Sequence, residues 1–229
     1  MFSRSSDQDI NRPFKICLIG DASVGKTSFY KRLISVINGN NNYKFDKNYN
    51  STEDFNVEKI SFKTNIGIIN IFLYDTRGQE VISGTDMRDA YLIGSNGVLI
   101  LYDVTSKKTL DNLNKWIDNV KRTCSPNIPI SVCGNKIDKE PNIKNNENVK
   151  MRDARLRPMY GTNIKGFLIS VKENREFVDG GDSFFGGNKE KNIDSILGPF
   201  EYILTKHFGK DIKIDLSDAN KKMVASDDF

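Results

Sequence analysis

A single histidine, His207, in 229 residues leaves imidazole chemistry out of consideration, because no second ring exists to complete a zinc site or relay a proton. The three cysteines, Cys17, Cys124 and Cys133, are odd in number and follow no metal-ligand spacing. Two of them sit inside apolar runs that read as buried strands, so reduced structural thiols are expected. No apolar run approaches the roughly 20 residues needed to span a bilayer, and the N-terminus does not read as a signal peptide. Residue 2 is Phe where myristoylation needs Gly, and the chain closes on SDDF with no cysteine after Cys133. The expectation is an intracellular, soluble protein with no membrane anchor of the prenyl kind. Charge of one sign is scarce too: 34 Lys+Arg against 30 Asp+Glu leave +4, too little to argue for direct nucleic-acid binding.

What is present suits one domain with some insertions, since a domain takes about 100 to 200 residues. Residues 1–12 are polar and unpatterned and read as a flexible arm. FKICLIG (Phe14 to Gly20) is an apolar run closed by glycine, and apolar residues then recur at helical spacing from Ser23 to Ile37. Asn38 to Asn50 is asparagine-rich and aperiodic, with 38–44 reading as an insertion. Phe55 to Phe62 alternates like a half-buried strand, Thr64 to Gly67 supplies a turn, and Ile68 to Asp75 completes a hairpin. Gly97 to Val104 and Ile128 to Asn135 read as buried strands between helix-like segments, and Gly166 to Ser170 as a short last strand. The stretch 178–192 carries four glycines and reads as an inserted surface loop. A helix near Ile193 to Phe208 then closes the domain, 13–209, before a charged tail, 210–229. Strands alternating with helices predict an α/β fold with a mostly parallel six-stranded sheet, one antiparallel edge strand and helices on both faces. Ligands of such sheets gather at the carboxyl ends of the strands.

The strongest motif is GDASVGKT (Gly20 to Thr27), which satisfies G-x-x-x-x-G-K-[ST] between a strand and a helix. Glycine lets backbone N–H groups approach phosphate oxygens and the helix N-terminus adds positive potential. Lys26 places a charge near the β- and γ-phosphates, and Thr27 can ligate Mg²⁺. DTRGQE (Asp75 to Glu80) follows an apolar strand, so Asp75 can hold the same ion through water, Gly78 can offer its N–H to a γ-phosphate, and Gln79 can orient an attacking water. NKID (Asn135 to Asp138) follows another strand. The Asp138 carboxylate matches the N1–H and exocyclic amine of guanine, where adenine has no matching donor pair; the Lys136 stem can cover the base and Asn135 can brace the loop. SVK (Ser170 to Lys172) can give a backbone N–H to guanine O6 or be a solvated turn.

Together GDASVGKT, Thr52, DTRGQE, NKID and SVK resemble the Ras superfamily of small GTPases. Within it FKICLIG, FKTNIG, MRDAYLI, DVTS, Trp116 and IPISVCGNKID look most like the Ran, or nuclear-transport, branch. The likeness runs from about Phe14 to Arg175 and resumes near Pro199 to Gly209. The resemblance implies a P-loop G domain that binds GTP or GDP with Mg²⁺ and hydrolyses GTP slowly. Gln79, Lys26 and Thr52 are then catalytic. Asp21, Ala22, Ser23, Val24, Gly25, Lys26, Thr27, Ser28, Phe45, Thr52, Gly78, Asn135, Lys136, Asp138, Ser170, Val171 and Lys172 contact the nucleotide, and Thr27, Thr52 and Asp75 serve the metal. Phe45 matches an aromatic that stacks on guanine, with a loop anchor as the alternative, and Trp116 reads as a helix-face core residue without chemistry. Expected partners are an exchange factor, a GTPase-activating protein and transport-receptor-like effectors, met by a monomer in nucleus and cytoplasm.

Some residues depart from that pattern. Arg77 stands where the family has a small alanine beside the γ-phosphate, and either neutralises phosphate charge or points to solvent. Ala22 replaces a glycine facing the space that an activator's arginine enters. Glu53 and Asp54 make the first switch acidic, and the second is longer by two residues. A nucleotide-binding module with little hydrolysis, and a Rab-like trafficking GTPase without its lipid anchor, stay open as alternatives.

Overall fold

A computed structural model describes residues 14–40, 44–45, 56–75, 90–159, 163–178, 191–193 and 196–216. Its strands are β1 (Phe14–Gly20), β2 (Asn56–Thr64), β3 (Gly67–Asp75), β4 (Gly97–Asp103), β5 (Ile130–Asn135), β6 (Ile164–Ser170), β7 (Arg175–Val178) and β8 (Lys191–Ile193). The helices are α1 (Lys26–Ile37), α2 (Lys107–Asp111), α3 (Leu113–Thr123), α4 (Glu147–Leu156) and α5 (Gly198–Phe208). The sheet order is β2-β3-β1-β4-β5-β6-β7-β8.

Continuous apolar runs become the central parallel strands because both of their faces are covered: every residue of β4 and β5 is buried. On one face lies a cluster containing Phe29 and Leu33 of α1 with Phe200, Ile203 and Leu204 of α5. On the other, Leu113, Ile117 and Val120 of α3 and Val149 and Leu156 of α4 pack against Ile19, Val98 and Val132. Their spacing along α3, three to four residues apart, puts them on one stripe, and each such side chain contributes about 1.5–3 kcal/mol of burial. Strand β2 pairs antiparallel with β3 through a tight turn at Asn65 and Ile66, and buries only Ile60, Phe62 and Thr64 along its length. That is the alternation of an edge strand with one solvated face.

The sheet is larger than the six strands predicted, with more than one antiparallel strand. β7 and β8 extend the edge beyond β6, each antiparallel to its neighbour. The strands have 4 and 3 residues, too few to display an alternating pattern, so sequence reading assigns their ends to the glycine-rich loop. The last helix also begins later than predicted, at Gly198 with Pro199 in its first turn. Ile196 and Leu197 before it are buried in the core, and this apolar continuity mimics helix. Beyond α5, Ile212 is fully buried and the backbone of Asp215 donates to Lys63 O at 2.8 Å, so residues 210–216 pack back on the end of β2.

Candidate functional site

Five parallel strands bring Gly20, Asp75, Asp103, Asn135 and Ser170 to one end of the sheet. The register places Leu18 beside Asp75 and Asp103 beside Asn135. The loop from Gly20 to α1 rises out of this row. Gly25, the N-cap of α1, has φ 99°, and an added Cβ would stand 2.5 Å from the Asn135 side-chain nitrogen. Only glycine meets both demands. Ser23 is also left-handed, with φ 61°, a conformation that costs a side-chain-bearing residue about 1–2 kcal/mol. Lys26 is buried, and its ammonium donates to the carbonyls of Gly20 at 2.8 Å and Asp21 at 2.9 Å. The loop thus curls around a cation at a helix N-terminus, an arrangement suited to an anionic oxygen cluster.

Asn135 joins this loop to the next strand end. Its amide donates to Val24 O at 2.9 Å and its oxygen accepts from the Val171 N–H at 3.1 Å. Lys136, left-handed at φ 70°, donates to Ser23 O at 2.7 Å and pairs with Asp103 at 2.7 Å. Burial alone would raise the Asp103 carboxyl, but hydrogen bonds from Lys136 and Thr105 outweigh it and hold its pKa below the ordinary carboxylate value. The Asp138 side chain is 5% exposed; Ser170 donates to it at 2.7 Å and Lys172 lies at 3.5 Å. Each carboxylate oxygen keeps capacity for a further donor. Arg32 of α1 donates to Val171 O at 2.9 Å and Lys172 O at 2.5 Å, so the first helix also grips the loop after β6.

At the end of β3 the arrangement changes. Asp75 is wholly buried, and among the described residues neither carboxylate oxygen has a partner at full hydrogen-bond geometry, although the Thr27 hydroxyl lies close enough to favour its charged form. Burial pushes its pKa up, while the nearby Thr27 hydroxyl and the Lys26 and Lys31 charges oppose it only in part. Among the described residues no group of three or more His, Cys, Asp or Glu could hold a metal. Two orphaned carboxylate oxygens beside a threonine hydroxyl fit a hard cation that takes its remaining ligands from phosphate and water, as Mg²⁺ does.

The described residues thus bring together the segments Asp21–Ser28, Asn135–Asp138 and Ser170–Lys172, with Asp75 beside the first. Phe45 is half-buried against the core cluster that includes Phe29 and Val171. Thr52, Glu53, Asp54, Arg77, Gly78 and Gln79 lie outside the described residues. One reading needs correction: Trp116 has a polar role, since its indole N–H donates to Asp21 at 2.8 Å and Asn112 donates to the other carboxylate oxygen at 2.7 Å. A half-buried tryptophan on an otherwise regular apolar stripe gives no hint of a partner 95 positions away. Arg32 and Asp103 also escaped sequence reading. Arg32 lies midway along the helix that follows the phosphate-loop motif, and Asp103 closes a buried strand, so neither position marks its partner.

Residues 15–177 match the sequence model of the Ras family. The chain is also similar to the GTP-binding nuclear protein GSP1 of Encephalitozoon cuniculi (strain GB-M1). The two are 36% identical over 165 residues, spanning 72% of this chain and 71% of that protein.

Proposed function

The chain belongs to the Ras family, and we propose that it is a Ran-like small GTPase, a switch that binds GTP and GDP at the ends of β1, β3, β5 and β6 and hydrolyses GTP slowly. The observation that carries this reading is the Asn135 bridge, which ties Val24 of the phosphate loop to Val171 of the loop after β6. A single side chain thereby sets the distance between a phosphate cradle and a base-reading carboxylate.

In this reading the backbone N–H groups of Ala22 to Ser28 and the Lys26 ammonium take the phosphates, and Asp138 accepts from guanine N1–H and its exocyclic amine. Ser170 and Lys172 hold that carboxylate in place, the Lys136 stem covers the base, and Phe45 stacks on it. Thr27, Thr52 and Asp75 would hold Mg²⁺, which neutralises phosphate charge as it develops. Gln79 orients the attacking water, while Thr52 and Gly78 sense the γ-phosphate and order the switch segments around it. Ala22 narrows the space open to an activator's arginine, which lowers the acceleration expected from an activating protein. The G domain is taken as 13–209, between an N-terminal arm and a tail whose first residues fasten to β2. Similarity to a GTP-binding nuclear protein supports action in nucleus and cytoplasm, in carrier-mediated transport. Exchange factors, activators and transport receptors would then be its partners.

The test is direct. Protein denatured after purification should release GDP or GTP, and mant-GDP should bind far more tightly than mant-ADP. Under single-turnover conditions GTP-loaded protein should release phosphate above buffer background within hours. Bound adenine nucleotide would overturn the base assignment, and absent phosphate release would overturn the hydrolytic one.

A further inference from the structure

We propose that Asn112 and Trp116 are positioning residues for the phosphate loop: by clamping the Asp21 carboxylate at the junction of α2 and α3, they fix the backbone carbonyl on which Lys26 rests. The inference rests on the guanine-nucleotide reading above and adds to it a part of the molecule that touches no nucleotide.

Each oxygen of Asp21 has its own donor. Asn112 Nδ2 reaches Oδ2 at 2.7 Å, and Trp116 Nε1 reaches Oδ1 at 2.8 Å. Both donors are four residues apart at the start of α3, where side chains of such spacing share a helix face. The Asn112 amide cannot turn over without penalty, because its own oxygen faces the Lys115 ammonium at 3.4 Å. Leu113 and Ile117, the neighbours of the two donors, are fully buried, so the clamp is mounted on a rigid element.

The consequence runs through the main chain of Asp21. Its carbonyl accepts from Lys26 Nζ at 2.9 Å, the second of the two carbonyls that hold that ammonium. The middle of the loop is tied independently, through Val24 O to Asn135 and Ser23 O to Lys136. Among the described residues, the clamp is what ties the side chain at its start. It also holds an anionic side chain in one place, within a loop whose task is to receive polyphosphate. A carboxylate released to rotate there would meet the ligand's charge in a partly desolvated setting, where like charges repel strongly.

The test is a double-mutant cycle on the release of mant-GDP, followed by direct excitation of the mant group so that the signal does not depend on tryptophan. Trp116→Phe keeps the ring that packs on the core and removes the N–H. It should speed release roughly 10-fold or more, the scale of losing a hydrogen bond to a charged group. In an Asp21→Ala background the same change should add less than about two-fold, since the donor then has nothing to hold. Asn112→Ala should behave in the same way and serves if the first variant melts early. Equal effects in both backgrounds mean that Trp116 acts only through helix packing, and overturn the proposal, as does an unchanged rate. If the wild-type protein fails to bind mant-GDP, the guanine reading falls instead. The emission of Trp116, the only tryptophan in the chain, then decides the clamp alone: Asp21→Ala should shift it in nucleotide-free protein, and no shift overturns the proposal.

Discussion

At the ends of β5 and β6, Asn135, Asp138 and Ser170 are held by hydrogen bonds of 2.7 to 3.1 Å, whereas at the end of β3 both oxygens of Asp75 are buried with no partner of comparable geometry among the described residues. On the proposed reading the first of these is the base-facing half of the site, and protein hydrogen bonds hold its loop while leaving Asp138 capacity for further donors, so little ordering is needed for recognition. On the same reading the other half faces phosphate, and a cation there would meet the charge of the buried Asp75 carboxylate, which otherwise opposes folding. One half provides specificity through preorganisation, and the other provides dependence on what is bound.

The largest expected effect lies in the base-facing half. Asp138→Asn replaces one acceptor oxygen by an N–H₂ group that would oppose a guanine donor, while Ser170 can still bond the remaining oxygen. Two charge-assisted hydrogen bonds at about 1.5–3 kcal/mol each set the scale, so GDP affinity should fall roughly 100-fold or more and the preference over ADP should collapse. Competition binding of GDP and ADP against a mant nucleotide measures both. An unchanged preference would mean that this half does not face a base.

A smaller effect, but one of opposite sign in the two halves, should appear in nucleotide-free protein. Asn135→Ala strands the Val24 carbonyl and the Val171 N–H, and should lower stability by about 1–3 kcal/mol. Asp75→Asn removes a buried charge at constant volume and should raise it by a similar amount. Because burial raises the Asp75 pKa, the folded state holds its proton more tightly than the unfolded state. The wild-type protein therefore keeps its stability below the unfolded pKa and loses it as pH rises through the folded one, so the gain from Asp75→Asn should widen toward alkaline pH. With GDP and Mg²⁺ present the order should reverse, the wild type gaining in Tm and Asp75→Asn gaining little. Thermal melts with and without Mg²⁺ decide it. If Asp75→Asn destabilises the empty protein, the two halves do not differ as drawn here.

The same contrast marks what was legible in the sequence. GDASVGKT and NKID could be read because each follows an apolar run and consists of residue types with one chemical use. The central strands, buried on both faces, announce themselves as runs of Val, Ile and Leu. What escaped was short or distant. Strands β7 and β8 are too brief to show a period, and Gly198–Pro199 starts α5 inside an apolar stretch that hides the boundary. The Trp116–Asp21 and Arg32–Val171 contacts link positions 95 and 139 apart, which no local pattern encodes. The candidate site residues were therefore more legible than the residues that position them.

Glu176 supplies the control for the comparison, with an effect on stability alone and none expected on binding. Like Asp75 it is a buried carboxylate whose pKa is pushed up by burial, here to about 7, with Lys165 and Lys213 opposing the shift and Glu201 adding to it. Unlike Asp75 it lies on the added strand β7, opposite Ile169, with its carboxylate packed on Gly198 at the start of α5 so closely that a Cβ there would meet its Oε1 at 3.0 Å. The N-terminus of α5 favours a negative charge, yet burial dominates. The sign follows from linkage. Between the unfolded value near 4.5 and the folded value of about 7 the native state holds more protons, so stability contributed by Glu176 is full below the first and lost by the second. Glu176→Gln removes that slope and should stabilise the protein at pH 8 by about 3 kcal/mol, with the advantage vanishing below pH 5. Mg²⁺ and GDP should leave the difference untouched, because no ligand depends on this carboxylate. Should the advantage of Glu176→Gln disappear on adding Mg²⁺ and GDP, burial alone would not separate a carboxylate awaiting a cation from one enclosed by packing, and the Asp75 argument would lose its force.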